Sequence, residues 1–348
     1  MSITEIVGDG FNAASCPIGL DLARQRVSSS YNLEALTYDG DYSPDIILAS
    51  DLVTGELMRA VILSWRESWA TDLTSPPRVL DLGAGTFMMT RLLRNNLGPR
   101  FSAQNPHGPF QSFSIDIAER MLQQGQAALA AEFGSADEPA ILGDMHHLPF
   151  PDQSMDIVIS GYGPVSYSPS LAVALKESVR TLNPKGICAF MPYPLRLGLQ
   201  GFATLNGFTT ATSSASYSTY HTRGSVTKSL EELGLDLLGV RGINFLGTYF
   251  SATQAVANEQ TVQMEIEMDN LANLAGEVGP GDKLTNICNW NDFRMQADIL
   301  WGNIVGKRII VADKTLLAKY LAQESILAES LSIDPGLARF FWVNSQKK

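Results

Sequence analysis

The chain has 348 residues, enough for a large buried core in one or two units, and 45% of them are apolar against 18% charged, the balance of an ordinary globular enzyme. A net charge of −11 with no run of Lys or Arg argues against a nucleic-acid backbone or an anionic membrane surface as partner, since either would call for a basic face. The three cysteines, Cys16, Cys188 and Cys288, are too far apart for a CxxC zinc pair or a disulfide framework. With no apolar leader and no apolar run of transmembrane length, the expected setting is cytoplasmic.

In chain order, residues 1–75 read as an N-terminal helical lid segment. The stretch Leu48–Ala70 places Leu52, Leu57, Val61, Ile62, Trp65 and Trp69 at helical spacing, and Pro76–Pro77 stop it. The rhythm then changes. Short apolar runs at Arg78–Leu82, Gln111–Asp116, Ala140–Leu142, Met155–Ser160 and Gly186–Met191 predict strands, and amphipathic patterns between them predict helices, the last over Leu171–Leu182. Strands alternating with helices imply βαβ units and a parallel sheet covered on both faces. A helix over Thr227–Leu233, a strand over Leu235–Val240 and a final strand in KRIIVA (Lys307–Ala312) follow, ahead of a C-terminal helical tail. Two inserts, Arg196–Thr222 and Phe245–Trp301, do not belong to a minimal sheet. They are candidates for a substrate lid or for a dimer interface, and a homodimer is one reading of them. The expected division is therefore 1–75, a core over 76–195, the rest of the core with its inserts over 196–305, and 306–348.

The segment Val79–Phe87, VLDLGAGTF, carries the first chemical signal. A strand ends near Asp81, Gly83 and Gly85 make a tight turn, and a helix begins near Thr86, so unpaired N–H groups face whatever sits above the strand. Such a turn alone is shared by several nucleotide-binding folds. Two acids sharpen it: Asp116 ends the second strand, where a ribose diol would lie, and Asp144 follows the third, where a carboxylate could accept from an adenine amino group with Met145 against the ring. Each acid alone also suits a turn or a cap. A nicotinamide dehydrogenase would prefer GxGxxG, whereas Phe87 and Met88 stand fourth and fifth after Gly83.

The runs VLDLGAGT (Val79–Thr86), SIDIAERML (Ser114–Leu122), GDMHHLPFPDQSMDIVIS (Gly143–Ser160) and LNPKGICAFMPY (Leu182–Tyr193) resemble the class I S-adenosylmethionine-dependent methyltransferases, in their ubiquinone/menaquinone-biosynthesis-like, type 11 branch. The resemblance covers about Arg78 to Tyr193, with a weaker match at Ser225–Val240 and Lys307–Lys314, roughly half the chain. It implies an α/β, Rossmann-like, doubly wound and mostly parallel seven-stranded sheet, S-adenosylmethionine as cofactor, and a small-molecule acceptor. It further implies that Gly83, Ala84 and Gly85 hold the methionine end with Asp81 at its amino group. Asp116 and Ile117 lie at the ribose, Asp144 and Met145 at the adenine, Ser160 and Gly161 beneath the methionine, and Tyr31 near its carboxylate. Phe87 departs from the small residue expected at its place, so the following helix must pack differently, and Gly98–Pro109 lengthens the next connection.

Methyl transfer is an in-line displacement that depends on positioning the acceptor, with a base required only for some acceptors. His221, in the aromatic insert SYSTYHTRG, is the favoured base, with His147 and Tyr167 as further catalytic candidates. His146 is set aside as a variable polar neighbour of the adenine pocket, and His107 lies in a Pro/Gly-rich loop. Tyr162, Tyr167 and Tyr193 are expected to wall the acceptor pocket. No group of acids and histidines has metal-site spacing, so no metal is expected. Two other readings share the cofactor: a cyclisation or rearrangement enzyme, and a non-catalytic S-adenosylmethionine-binding protein.

Overall fold

In a computed structural model, the described residues are 11–12, 20–41, 77–101, 110–134, 138–168, 170–194, 219–243, 245, 287–304, 314–338 and 340–348. The helix expected within Leu48–Ala70, the loop residue His107, the run Lys307–Ala312 and most of both inserts lie outside them. In chain order the elements are β1 (Phe11–Asn12), α1 (Leu20–Glu34), α2 (Tyr38–Asp41), β2 (Arg78–Leu82), α3 (Met88–Phe101), β3 (Gln111–Asp116), α4 (Glu119–Phe133), β4 (Ala140–Leu142) and β5 (Met155–Ser160). A 3₁₀ turn (Pro164–Tyr167) leads to α5 (Leu171–Thr181), β6 (Leu182–Phe190), β7 (Thr219–Tyr220), α6 (Arg223–Glu232), β8 (Leu235–Ile243), α7 (Ile287–Ile304), α8 (Lys314–Ser330) and β9 (Phe340–Lys347).

Seven strands form the main sheet in the order β4-β3-β2-β5-β6-β9-β8. β4, β3, β2, β5 and β6 are parallel, and β9 is antiparallel to both β6 and β8. This is the doubly wound, mostly parallel architecture expected from the sequence. β5 sits at its centre beside β2, and the order reverses between β2 and β5, which opens a crevice at the carboxyl ends of the strands.

Each strand feeds two cores because successive side chains point to opposite faces. In β5, Ile157 and Ile159 join Val79, Met89, Leu93 and Trp342 on one face, whereas Val158 joins Leu80, Leu82, Leu175 and Phe190 on the other. Caps fix the helix starts: Ser170 accepts the Val173 N–H ahead of α5, and Thr222 and Ser225 form a reciprocal capping box ahead of α6.

One strand departs from expectation. Phe340–Lys347 lies in the tail read as helical, yet it is a full strand between β6 and β8. Its polar residues hid it. Ser345 donates to the Cys188 carbonyl and the Trp342 indole N–H donates to Asn344, so side chains that look like surface residues are satisfied inside the sheet. Lys347 places its ammonium on the carbonyls of Val179 and Leu182.

The substitution at Phe87 is resolved by a partner. Its backbone adopts φ of 62°, its ring is fully buried, and the ring lies on Gly125 of α4. A Cβ at Gly125 would come within 2.6 Å of that ring. Gly125→Ala should therefore destabilise the fold. Overpacking costs about 1–3 kcal/mol, against a helix-propensity gain of roughly 1 kcal/mol. Urea unfolding should show a loss that shrinks in a Phe87→Ala background, and equal losses in both backgrounds would break the proposed link.

Candidate active site

The crevice above β2 holds a cavity of about 930 Å³, counted to its open mouth. Its floor is the turn after β2. Gly83 and Ala84 donate their N–H groups to the Ile115 carbonyl, and Gly85 donates to the Asp116 carboxylate at 2.8 Å. The turn is thus fastened to the end of β3. Gly83 (φ 68°) and Gly85 (φ 52°) occupy the left-handed region, and a Cβ on Gly83 would meet Pro164 at 2.3 Å, so the motif needs glycine there for both strain and space.

Three acids line the cavity in sequence along its floor. Asp81 is almost fully buried and accepts from the Thr90 N–H and hydroxyl. Burial outweighs those bonds and pushes its carboxyl up to about 7. Asp116 accepts from Gly85 N–H and Ala118 N–H, and burial again raises its pKa. Asp144 behaves differently. It accepts from the backbone and ring of His146 and pairs with Arg24 at 3.3 Å, and these partners overcome desolvation and hold it down at about 2.

Helix α1 roofs the cavity with Arg24, Val27 and Tyr31, and Tyr38 adds to the roof from α2. The roof is bonded to the floor's own elements: Ser28 donates to the Ile117 carbonyl, Asn32 accepts the Arg120 N–H, and Thr86 bonds Asp39. At the far end stand Met88, Met89, Tyr162, Pro164 and Tyr167. Tyr31, Tyr167 and Tyr193 form a chain of hydroxyls, 2.8 and 2.7 Å apart, with edge-on ring contacts. Burial drives the Tyr167 pKa well above 10, so its phenol stays protonated.

Of the residues expected at the cofactor, Tyr31, Asp81, Gly83, Ala84, Gly85, Asp116, Ile117, Asp144, Met145 and Gly161 line the cavity. Ser160 does not. It is one residue too early in the alternation of β5, and its hydroxyl is turned into the sheet onto the Leu82 carbonyl. Among the catalytic candidates only Tyr167 reaches the cavity. His147 is exposed beside it. His221 is 2% exposed behind the Tyr193 strand end, donates its backbone N–H to Tyr193, and faces Thr219 through Nε2; burial lowers its pKa to about 4. Tyr193 likewise stands behind Tyr167 instead of in the wall. The histidine that does line the cavity is His146, which the sequence reading set aside.

The family model described as a methyltransferase domain matches residues 80–190. Those residues are a class I, S-adenosylmethionine-dependent methyltransferase domain of the type 11 branch. A malonyl-[acyl-carrier protein] O-methyltransferase of Halorhodospira halophila is 33% identical over 119 residues, 34% of this chain and 35% of the relative. A demethylmenaquinone methyltransferase of Geobacillus kaustophilus is 29% identical over 142 residues, 40% of this chain and 56% of the relative. Among solved structures, an S-adenosylmethionine-dependent methyltransferase of Mesorhizobium loti aligns at 17% identity and a TM-score of 0.38, over 60% of this chain and 91% of its own. The chain spans between about a third and just over half of the length of the two curated relatives. Among the described residues no helix is long and apolar enough to cross a membrane.

The raised pKa of Asp81 has a signed consequence. Its unfolded carboxyl titrates near 3.8 and its folded one near 7, so its protonated form favours the fold. That contribution is full below pH 3.8 and is lost as pH rises to 7. Asp81→Asn, which keeps the acceptor oxygen for Thr90, should gain stability relative to the parent between pH 4.5 and 7.5. Urea midpoints that keep a constant offset across that range would place the ionisation elsewhere.

Proposed function

We propose that this chain transfers a methyl group from S-adenosylmethionine to a small, mostly apolar organic acceptor. The observation that carries this reading is one cavity in which the glycine turn and three carboxylates line the floor and tyrosines and methionines close the far end. The residues fit the cofactor by charge and by hydrogen-bond inventory. Asp81, buried and short of a cation, is placed for an ammonium. Asp116 spends one lone pair per oxygen on backbone donors and keeps others for ribose hydroxyls. Asp144 remains ionised and acceptor-only, which suits an amino group of adenine, and Met145 lies beside it.

S-adenosylmethionine, when bound, supplies an electrophilic methyl group on a sulfonium. The protein's share is to hold the acceptor in line and to exclude water. Helix α1 performs the exclusion. The wall of Tyr31, Tyr38, Tyr162 and Tyr167 offers flat apolar faces and neutral hydroxyl donors, which favours a planar acceptor with a few polar atoms. The single histidine among the described lining residues, His146, is tied to Asp144 and to Ser168. The wall therefore acts by proximity and phenolic hydrogen bonds, in place of the histidine base expected at His221.

Calorimetry with S-adenosylhomocysteine should show binding, and Asp116→Ala should weaken it by about 1–3 kcal/mol through loss of a charge-assisted bond and of the turn's anchor. Unchanged affinity would remove Asp116 from the site. With a methyl-labelled donor and a panel of planar phenolic acceptors, the label should appear in the organic product. Binding without transfer to any acceptor would favour a non-catalytic or rearrangement role.

A further inference from the structure

We propose that His146 is a positioning residue for purine recognition: by clamping one oxygen of Asp144 it turns the other toward the cavity, so that the site selects a 6-amino over a 6-oxo purine. The inference rests on the reading of Asp144 as the adenine acid and adds to it the residue that makes the carboxylate selective.

The geometry belongs to the DMHH run, Asp144–His147. Asp144 Oδ1 accepts twice from the same residue, from the His146 backbone N–H at 2.9 Å and from Nδ1 at 2.6 Å. Donation from Nδ1 requires the proton on that nitrogen, which leaves Nε2 to meet the hydroxyl of Ser168 at 2.9 Å. Ser168 is fully buried, and a hydroxyl can either give or take a proton, so the bridge holds whether the imidazole is neutral or charged. The ring is therefore pinned at both nitrogens, and Oδ1 is pinned with it.

Oδ2 is left with one ion-pair contact, Arg24 Nε at 3.3 Å, and Asp144, Arg24 and His146 all line the cavity. An ionised carboxylate accepts hydrogen bonds and cannot donate them. It attracts an exocyclic amino group and repels a ring carbonyl. Arg24 is the donor that would favour the carbonyl, so the two groups oppose each other at the same edge of the base. With Oδ1 clamped by His146 the carboxylate keeps one orientation at that edge; released from the clamp it is free to rotate and lose that orientation. The His147 N–H also donates to the Asp144 backbone carbonyl.

The test compares S-adenosylhomocysteine with S-inosylhomocysteine, its 6-oxo counterpart, by calorimetry on the full chain. The parent protein should prefer the adenosyl compound by about 10–100-fold, the range of a charge-assisted hydrogen bond. His146→Ala should bring the ratio to within about threefold. His146→Asn should retain most of the preference, because its amide nitrogen falls where Nδ1 was. His146→Gln, which reaches toward Ser168 instead, should not. A parent protein that does not distinguish the two compounds overturns the adenine role of Asp144 and this proposal with it. A parent that distinguishes them beside an alanine variant that still does so overturns the role of His146 alone. Equal ratios in the Asn and Gln variants also overturn it, since both fill the space and only one can hold Oδ1.

Discussion

The bond from the Gly85 N–H to the Asp116 carboxylate joins the two strands on which the site is built. β2 delivers the glycine turn and β3 delivers the acid, and each is a neighbour of the other by register. Asp116 also holds Ala118 N–H at the threshold of α4, so one side chain sets the turn, the end of its own strand and the approach to the next helix. The cavity floor is pre-formed as a result: the N–H groups of Gly83, Ala84 and Gly85 are bonded to β3, and the turn is held by the sheet.

The roof is built on the opposite principle. Helix α1 touches the floor through side chains, through Arg24 on Asp144, Ser28 on Ile117 and Tyr31 on Tyr167. Exposed and half-exposed bonds of this kind are individually weak. They nonetheless land on residues at the two ends of the cavity, Asp144 at one and Tyr167 at the other.

What was legible in the sequence was what is local. The strand–turn–helix unit, Asp81, Asp116 and Asp144 could be placed because their neighbours in the chain are also their neighbours in space. Ser160 failed by one step of the strand alternation, a distinction set by which face β5 turns to the crevice. His221 looked well placed because its insert leaves the sheet at the right edge, but its ring is buried outside the cavity and faces Thr219. His146 went the other way: it lines the cavity, and its ring is held by Ser168, 22 residues on, a contact no local pattern announces. The strand Phe340–Lys347 hid behind Asn344, Ser345 and Gln346, whose partners lie in β6 or in the strand itself. In the run FFWV, aromatic and β-branched residues were a signal that could have been weighed against those polar neighbours.

The place of that strand has a consequence for the order of assembly. β9 comes roughly a hundred residues after β8, yet among the described residues it lies between β8 and β6 and joins them. As the chain leaves the ribosome, β2 to β6 can pair as each successor arrives, and the cofactor crevice can form with them. β8 has no such partner. Its backbone groups stay open until β9 threads into the gap. The half of the sheet that carries the glycine turn and its acids can thus mature early, while the other half waits on contacts of long sequence separation, which are the slow ones in folding. Until that late insertion the open edges of β6 and β8 are the points at which a growing chain is most exposed to mispairing with another.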